Sequence, residues 1–148
     1  MAENNRSLKV FCDGGARGNP GPGAAACIIT DPAGKKRFLC GKYLSWATNN
    51  QAEYGAVRLA LKVIKENYKK RVDVNFFLDS DLVVNQLSGL FKVKNAALRS
   101  ILFEIRTMEV SLGKVYYKRV PREENEEADR LVNKVIDEKK DLRETASI

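Results

Sequence analysis

Four acidic residues of this sequence occupy positions where ordinary surface acids are not expected. Asp13 and Asp79 each follow a run of apolar residues that predicts a β-strand, and open α/β sheets bind ligands beyond their strand ends. Glu53 lies on the apolar stripe of a predicted helix, where an ionised carboxylate is costly unless it is compensated. Asp129 borders the apolar stripe of the last predicted helix, so we expect it to point near the core.

A cluster of these carboxylates would suit divalent metal ions. The sequence contains no histidine, which excludes a Ser-His-Asp triad, a Cys-His dyad and histidine-containing zinc sites. Carboxylates are hard oxygen ligands that favour Mg2+ or Mn2+. Two such ions about 3.5–4 Å apart can activate a water molecule and stabilise the leaving oxygen of an in-line displacement, without an amino-acid base. The sequence therefore predicts metal-assisted phosphoryl chemistry.

Each acid also has an ordinary structural interpretation. Asp13 and Asp79 could be loop or capping residues, because aspartate is common in both roles. Glu53 could favour the dipole of a helix N-terminus, and Asp129 could be a helix-surface acid. None of these interpretations explains why all four acids occur together in one predicted mixed-sheet fold.

The elements that must position the acids follow from the apolar pattern. Alternation predicts strands, and three- to four-residue periodicity predicts helices. The predicted strands are 8–13, 24–30, 37–44, 72–78 and 114–120, and the predicted helices are 49–68, 80–87, 95–111 and 124–138. A turn at 31–34 indicates a hairpin, and the glycine- and proline-rich stretch 14–23 predicts a loop that starts at Asp13. The order of elements predicts an α/β fold with a mixed sheet flanked by helices.

The length and composition fit one globular domain. We expect a single domain over residues 7–138, a disordered N-terminal segment at 1–6, and a charged tail at 139–148 that is disordered or the fraying end of a helix. Three cysteines, Cys12, Cys27 and Cys40, lie in apolar runs and are expected to be free and buried. The sequence shows no signal peptide or membrane span, so a soluble, cytoplasmic setting is the expectation.

The net charge of +7 indicates a surface that attracts polyanions such as nucleic acids, although a basic protein without such a partner would look the same.

Four ordered motifs carry a resemblance to a known family. They are 13–23 (DGGARGNPGPG), 48–53 (TNNQAE), 78–80 (LDS) and 124–129 (ENEEAD). With this order and spacing, the chain from position 10 to about 136 resembles type 1 ribonuclease H and its retroviral-type relatives.

The resemblance implies a five-stranded mixed sheet, with three antiparallel strands before two parallel ones. It also implies a catalytic, metal-binding quartet at Asp13, Glu53, Asp79 and Asp129. In such enzymes two Mg2+ ions, for which Mn2+ can substitute, bind the quartet and the scissile phosphate. The RNA strand of an RNA/DNA hybrid is then hydrolysed to a 5′-phosphate and a 3′-hydroxyl.

The resemblance further implies a set of substrate-binding residues. Amide side chains can donate to and accept from 2′-hydroxyls and base edges in a wide, shallow minor groove. By position the hybrid-contacting residues are Asn19, Asn49 and Asn50, with help from Gln51, while Thr48 resembles part of a pocket for a DNA-strand phosphate. Gly14 and Gly15 would let the nucleic acid approach the backbone. Helix capping by an asparagine and turn formation by the glycines remain alternatives.

The chain departs from the family pattern in two places. Only residues 89–94 separate the second and third predicted helices, where many relatives insert a basic, tryptophan-bearing protrusion. Affinity would then rest on cations such as Lys92, Lys94 and Arg119, each of which could equally be a solvated side chain. Trp46 could line a nucleic-acid backbone, but we expect it to pack into the core.

The second departure is the missing histidine, which many relatives carry before the last acid. Arg122, seven residues ahead of Asp129, is the best candidate to replace it. Because arginine stays protonated, it could hold a phosphate or stabilise charge but could not shuttle a proton. Glu123 or Glu124 could assist the release of product or metal, although a helix-start acid is the simpler role.

Two other functions fit the same residues. The chain could be a nucleic-acid-binding domain that kept the fold without efficient catalysis, or a related nuclease that prefers double-stranded RNA or a DNA junction. The expected form is a monomer without an obligate protein partner.

Overall fold

A computed structural model describes residues 7–148. The predicted disordered segment at 1–6 lies outside the described residues. Six strands, numbered in chain order, form one mixed sheet: β1 (Ser7–Ala16), β2 (Gly21–Asp31), β3 (Lys36–Ala47), β4 (Asp73–Leu78), β5 (Val115–Arg119) and β6 (Leu142–Ser147). Their spatial order is β5-β4-β1-β2-β3-β6. The three antiparallel strands β1–β3 and the two parallel strands β4 and β5 match the sequence expectation, and β6 adds a sixth strand.

Four α-helices connect and cover these strands. They are α1 (Asn49–Asn67), α2 (Asp81–Leu87), α3 (Ala96–Glu109) and α4 (Glu126–Glu138), and a short 3-10 helix at Arg122–Asn125 leads into α4. Ser80 caps α2 as the sequence predicts, since its hydroxyl accepts from the Val83 N–H at 3.2 Å. No helix among the described residues is long and apolar enough to cross a membrane.

The helices pack on both faces of the sheet. The larger core lies beneath α1 and includes Leu8, Val10 and the free cysteine Cys12 from β1, together with the other two free, buried cysteines. A smaller cluster lies on the opposite face, where Ala24 and Ala26 of β2 pack against α4. Successive side chains of a strand point to opposite faces of the sheet, so the Asp13 side chain does not point into the core beneath α1. It lies on the opposite face, together with the side chain of its pairing partner Ala26.

The first strand is longer than its sequence predicts. Asp13 is an interior strand residue rather than the start of a loop, because β1 stays paired with β2 as far as Ala16 opposite Gly23. The loop is confined to positions 17–20. Glycine usually weakens a strand, but here Gly14 and Gly15 pair with Ala25 and Ala24 of β2 and are not turn residues.

Helix α1 packs very closely on β1 at Gly14. A Cβ atom at this position would lie 2.2 Å from the backbone carbon of Ala52 and 2.5 Å from the nitrogen of Glu53. Only glycine leaves room for this approach. The absent side chain therefore serves the contact between helix and strand, which brings Glu53 towards Asp13.

The C-terminal segment also differs from expectation. Residues 142–147 form β6 along the edge of β3, in place of a disordered tail or a fraying helix end. Helix α4 ends at Glu138, and its C-cap residue, Lys139, has a left-handed backbone with φ of 54°. The strand was hidden in the sequence because most of its side chains are exposed at the sheet edge and carry no apolar alternation.

The position of Trp46 also differs from the sequence prediction. The sequence favours core packing for this residue, yet its side chain is 71% exposed near the end of β3. The neighbouring Ala47 is buried. The indole is therefore a surface group.

We predict that Gly14→Ala destabilises the protein by about 1–3 kcal/mol, because the added methyl group meets helix backbone that cannot move independently. Gly15→Ala is the matched control, since its Cβ would find no atom closer than 3.9 Å. Urea denaturation of the two variants measures the difference. Equal stability of both variants would contradict the close approach of α1 to β1.

Candidate active site

Three of the four predicted acids meet at one end of the sheet. Carboxylate oxygens of Asp13, Glu53 and Asp79 all lie within 4.8 Å of one another. They come from the interior of β1, the first turns of α1 and the position directly after β4. Asp13 is 8% exposed, and the other two are partly buried. The three line a cleft of about 560 Å³.

Burial and like charge raise the pKa of two of these acids. Burial is the main reason that the pKa of Asp13 rises from 3.8 to about 7, and the charges of Asp79 and Asp129 raise it further. A hydrogen bond to Asp129 acts in the same direction, while the backbone N–H of Gly14 lowers the pKa. The metal-free cleft therefore holds protons near neutral pH.

Glu53 is affected in the same way. Burial raises its pKa from 4.5 to about 8, and the charges of Asp13 and Asp79 add to the rise. The guanidinium of Arg122 lowers the pKa of Glu53. Among the residues that the structure describes, no lysine or arginine forms an ion pair with Glu53, Asp13 or Asp79.

Asp129 and Arg122 lie on the open side of the same cleft. Asp129 is exposed, although the sequence predicts that it points near the core; the buried residues of α4 beside it are Ala128 and Val132. Asp129 lines the cleft and its charge raises the pKa of Asp13, so it lies near the cluster. Arg122 is also exposed and sits in the 3-10 helix just before α4. The structure thus brings all four acids and Arg122 to one cleft.

Asn125 is a positioning residue that the sequence analysis missed. It is 1% exposed, and its side-chain amide donates to the backbone carbonyl of Cys12 at 2.8 Å. This bond fixes the 3-10 helix and the start of α4 against β1, next to Asp13. An asparagine within the acidic run at 123–127 was the available signal, since every neighbour in that run is glutamate.

The start of α1 is held by a capping box. The Thr48 hydroxyl accepts from the Gln51 N–H at 3.1 Å, and the Gln51 side-chain oxygen accepts from the Thr48 N–H at 2.9 Å. Thr48, and not Asn49 or Asn50, is therefore the capping residue of α1. The Thr48 hydroxyl proton and the Gln51 amide group are still available as donors.

Two asparagines tie the loop after β1 to this helix start. The side-chain oxygen of Asn19 accepts from the Asn49 N–H, and that of Asn49 accepts from the Ala16 N–H, both at 2.9 Å. Both oxygens are occupied by these bonds, so the two amide groups offer donors to a ligand.

A groove of about 380 Å³ collects these polar groups. Asn49 lines both this groove and the acidic cleft, so the two are adjacent. Asn95, another residue that the sequence analysis missed, joins the groove while its side-chain oxygen caps α3 at Leu98. The lining residues are Asn19, Thr48, Asn49, Asn50, Gln51, Asn95 and Leu98.

The donor set of the cleft fits a hard divalent cation. Its ligands are carboxylate oxygens alone, which suit Mg2+ or Mn2+ better than softer metals. Burial and like charge raise the pKa values of Asp13 and Glu53, and a divalent cation would compensate the charge of the ionised acids.

Comparison with known proteins agrees with this α/β fold. A family model described as reverse transcriptase-like matches residues 11–135. Ribonuclease HI of Halobacterium salinarum is 34% identical over 131 residues, covering 88% of this chain and 65% of that protein.

Two solved structures are also similar. The N-terminal ribonuclease H domain of Rv2228c from Mycobacterium tuberculosis, fused to maltose binding protein, has a TM-score of 0.83 at 30% identity and covers 90% of this chain and 96% of that one. LC11-RNase H1 in complex with an RNA/DNA hybrid has a TM-score of 0.82 at 35% identity, covering 88% and 97%.

The chain therefore belongs to the type 1 ribonuclease H family. It spans 65% of the length of the Halobacterium relative and 35% of the mycobacterial bifunctional protein Rv2228c.

We predict that the stability of the metal-free protein falls as pH rises from about 5 to about 8.5. In the folded state Asp13 and Glu53 keep their protons up to pKa values of about 7 and about 8, whereas in the unfolded chain they release them at lower pH. The stability that these bound protons contribute is therefore lost as the pH rises through the folded-state pKa values. Glu53→Gln removes one of these two titrating groups. The fall in Tm between pH 5 and pH 8.5 should therefore be smaller in this variant than in the wild type, by about 5 °C or more.

Thermal unfolding in chelator at a series of pH values measures both proteins. Excess Mg2+ at pH 8.5 should raise the Tm of the wild type more than that of Glu53→Gln. Parallel pH profiles for the two proteins would contradict the raised pKa of Glu53.

Proposed function

We propose that this protein is a metal-dependent endoribonuclease that hydrolyses the RNA strand of RNA/DNA hybrids. The observation that carries the proposal is the set of three carboxylates within 4.8 Å, in a cleft that shares Asn49 with an adjacent groove lined by amide groups. Membership of the ribonuclease H family, whose members depend on divalent metal, supports the same chemistry. One related structure contains an RNA/DNA hybrid.

Asp13, Glu53 and Asp79 would hold the metal, with Asp129 at the open side of the cleft completing the set. We propose Mg2+ as the natural ion, two ions per site, with Mn2+ as a substitute. The bound metal would supply Lewis acidity for the attack of water on the scissile phosphate. The products would be a 5′-phosphate and a 3′-hydroxyl.

Arg122 would act as a fixed positive charge at the cleft. It is close enough to lower the pKa of Glu53, and it is exposed, so it can reach a phosphate group. Since a guanidinium does not release its proton near neutral pH, its role is to stabilise negative charge on the phosphate and not to transfer protons.

The groove would bind the hybrid through its amide donors. Asn19 and Asn49 are held rigidly by their side-chain oxygens, which leaves their NH2 groups for 2′-hydroxyls and base edges. Asn50 and Gln51 lie beside them, and Thr48 offers its hydroxyl proton to a phosphate. Gly14 and Gly15 both line the cleft, and Gly14 also lets α1 pack closely on β1.

We predict that Asp79→Asn lowers the rate of hybrid cleavage at least about 100-fold, the magnitude typical for loss of one group that stabilises a transition state. The asparagine keeps the shape but removes a charged ligand, so hybrid affinity should change by less than about threefold. A hybrid labelled on both strands, incubated with Mg2+ or with chelator, measures cleavage and strand choice.

Asp81→Asn is the matched control, because Asp81 is exposed in the first turn of α2 and is not among the residues lining the cleft. Wild-type cleavage by Asp79→Asn would contradict the proposed site. Failure of the wild type to cut the hybrid would favour a binding domain without catalysis, and preferential cutting of double-stranded RNA or a DNA junction in the same assay would favour a related nuclease.

We predict that Arg122→Ala lowers kcat about tenfold or more while changing the hybrid Kd by less than about threefold. Arg122→Lys should recover part of the rate, because it restores the charge without the planar fork. The control is Arg130→Ala, which removes an exposed arginine of α4 that is not among the cleft residues. A wild-type kcat for Arg122→Ala would show that the arginine does not take part in the reaction.

A further inference from the structure

Trp46 is the single tryptophan of the sequence, and 71% of its side chain is exposed. Tryptophan is one of the largest apolar side chains and is highly buried on average in proteins. Within the part of the chain that the structure describes, Trp46 makes no stacking or cation-π contact. Its apolar surface is therefore available to a ligand.

A β-bulge explains why the indole is on the surface. Gly23 of β2 pairs with Leu44 of β3, but Gly21 pairs with Ala47, so β3 carries one extra residue between the two pairs. Without this bulge, position 46 would follow Phe38, Cys40 and Leu44 on the face that packs beneath α1. Bulges are common beside active sites, where they redirect a side chain.

The bulge lies next to the polar groove. Trp46 is two residues before Thr48, and its neighbour Ala47 pairs with Gly21, at the end of the loop that carries Asn19. Asn19 in turn accepts from the Asn49 N–H. The indole is thus joined through short backbone connections to the residues that line the groove.

One nucleic-acid duplex could span both Trp46 and the acidic cleft. Asp13 of β1 pairs with Ala26 of β2, and Ala26 pairs with Gly41 of β3. Trp46 lies five residues beyond Gly41 along β3. At about 3.3 Å per residue along the strand and about 4.8 Å between strands, Trp46 is roughly 20 Å from Asp13 along the sheet. This is less than one turn of a double helix, which is about 34 Å.

We propose that Trp46 is a binding residue for the RNA/DNA hybrid, at the edge of the groove away from the acids. Its ring would stack on a base or pack against the sugar-phosphate backbone, a contact that tolerates any sequence because it uses the faces of rings and sugars. The inference rests on the proposed function, since it assigns a further contact to the same substrate. The net charge of +7 and the adjacent amide donors favour nucleic acid as the occupant over an apolar protein surface.

The fluorescence of the single tryptophan reports directly on this contact. Asp79→Asn in Mg2+ would be titrated with the hybrid, with binding followed independently by the anisotropy of a label on the hybrid. We expect quenching of Trp46 by acrylamide to fall at least about twofold at saturation, because a stacked ring is shielded. Saturation of the hybrid signal with unchanged quenching would overturn the inference.

Substitutions provide a second test. Trp46→Ala should raise the hybrid Kd about tenfold, a typical effect of losing one stacking contact, while Trp46→Phe should retain most of the affinity. The rate at saturating hybrid should change by less than about twofold, because the ring does not touch the reacting phosphate. Phe103→Ala is the matched control, since it removes an aromatic ring of 74% exposure from α3.

An unchanged Kd for Trp46→Ala would overturn the inference while leaving the proposed function intact. A wild type that neither binds nor cuts the hybrid would overturn both. Wild-type Tm for Trp46→Ala, which we expect for an exposed ring, would show that a loss of affinity does not come from unfolding.

Discussion

The burial of closely spaced carboxylates, together with the repulsion between them, is the constraint on which the active site depends. Asp13, Glu53 and Asp79 come together with no cation paired to them among the described residues. Burial first, and like charge second, raise the pKa of Asp13 to about 7 and that of Glu53 to about 8. Left to themselves, the side chains would separate. The surrounding fold must therefore hold them in place, and a divalent cation is the partner that would relieve the repulsion.

The elements that carry the acids are locked to one another by a few specific contacts. Gly14 lets α1 approach β1, and the Thr48–Gln51 capping box sets where that helix begins. Asn125 fastens the start of α4 to the backbone of β1 at Cys12. Because these contacts lie next to the acids, small changes in them should change the geometry of the site before they affect the sheet as a whole.

Much of this arrangement can be predicted from the sequence, because long periodic segments and short motifs carry strong signals. The stripe of apolar residues in α1 and the serine cap of α2 were predicted correctly, and the four acids named from the sequence line one cleft. Such features depend on neighbours within a few residues, which a sequence displays directly.

The errors have a common physical origin in contacts between distant segments. Glycines at 14 and 15 suggest a loop, but pairing with β2 makes them part of a strand. The charged residues of β6 suggest disorder, but their backbone pairs with the edge of β3. An added residue in β3 moves Trp46 out of the core, and a sequence read alone does not reveal that shift in register.

The position of Mn2+ in crystals of the wild-type protein, measured by anomalous diffraction, tests the proposed metal site most directly. The proposed site predicts a peak in coordinating contact with Asp13, Glu53 and Asp79, and loss of that peak in crystals of Asp79→Asn. Manganese bound elsewhere in the crystal, with no peak at these three carboxylates, would contradict it.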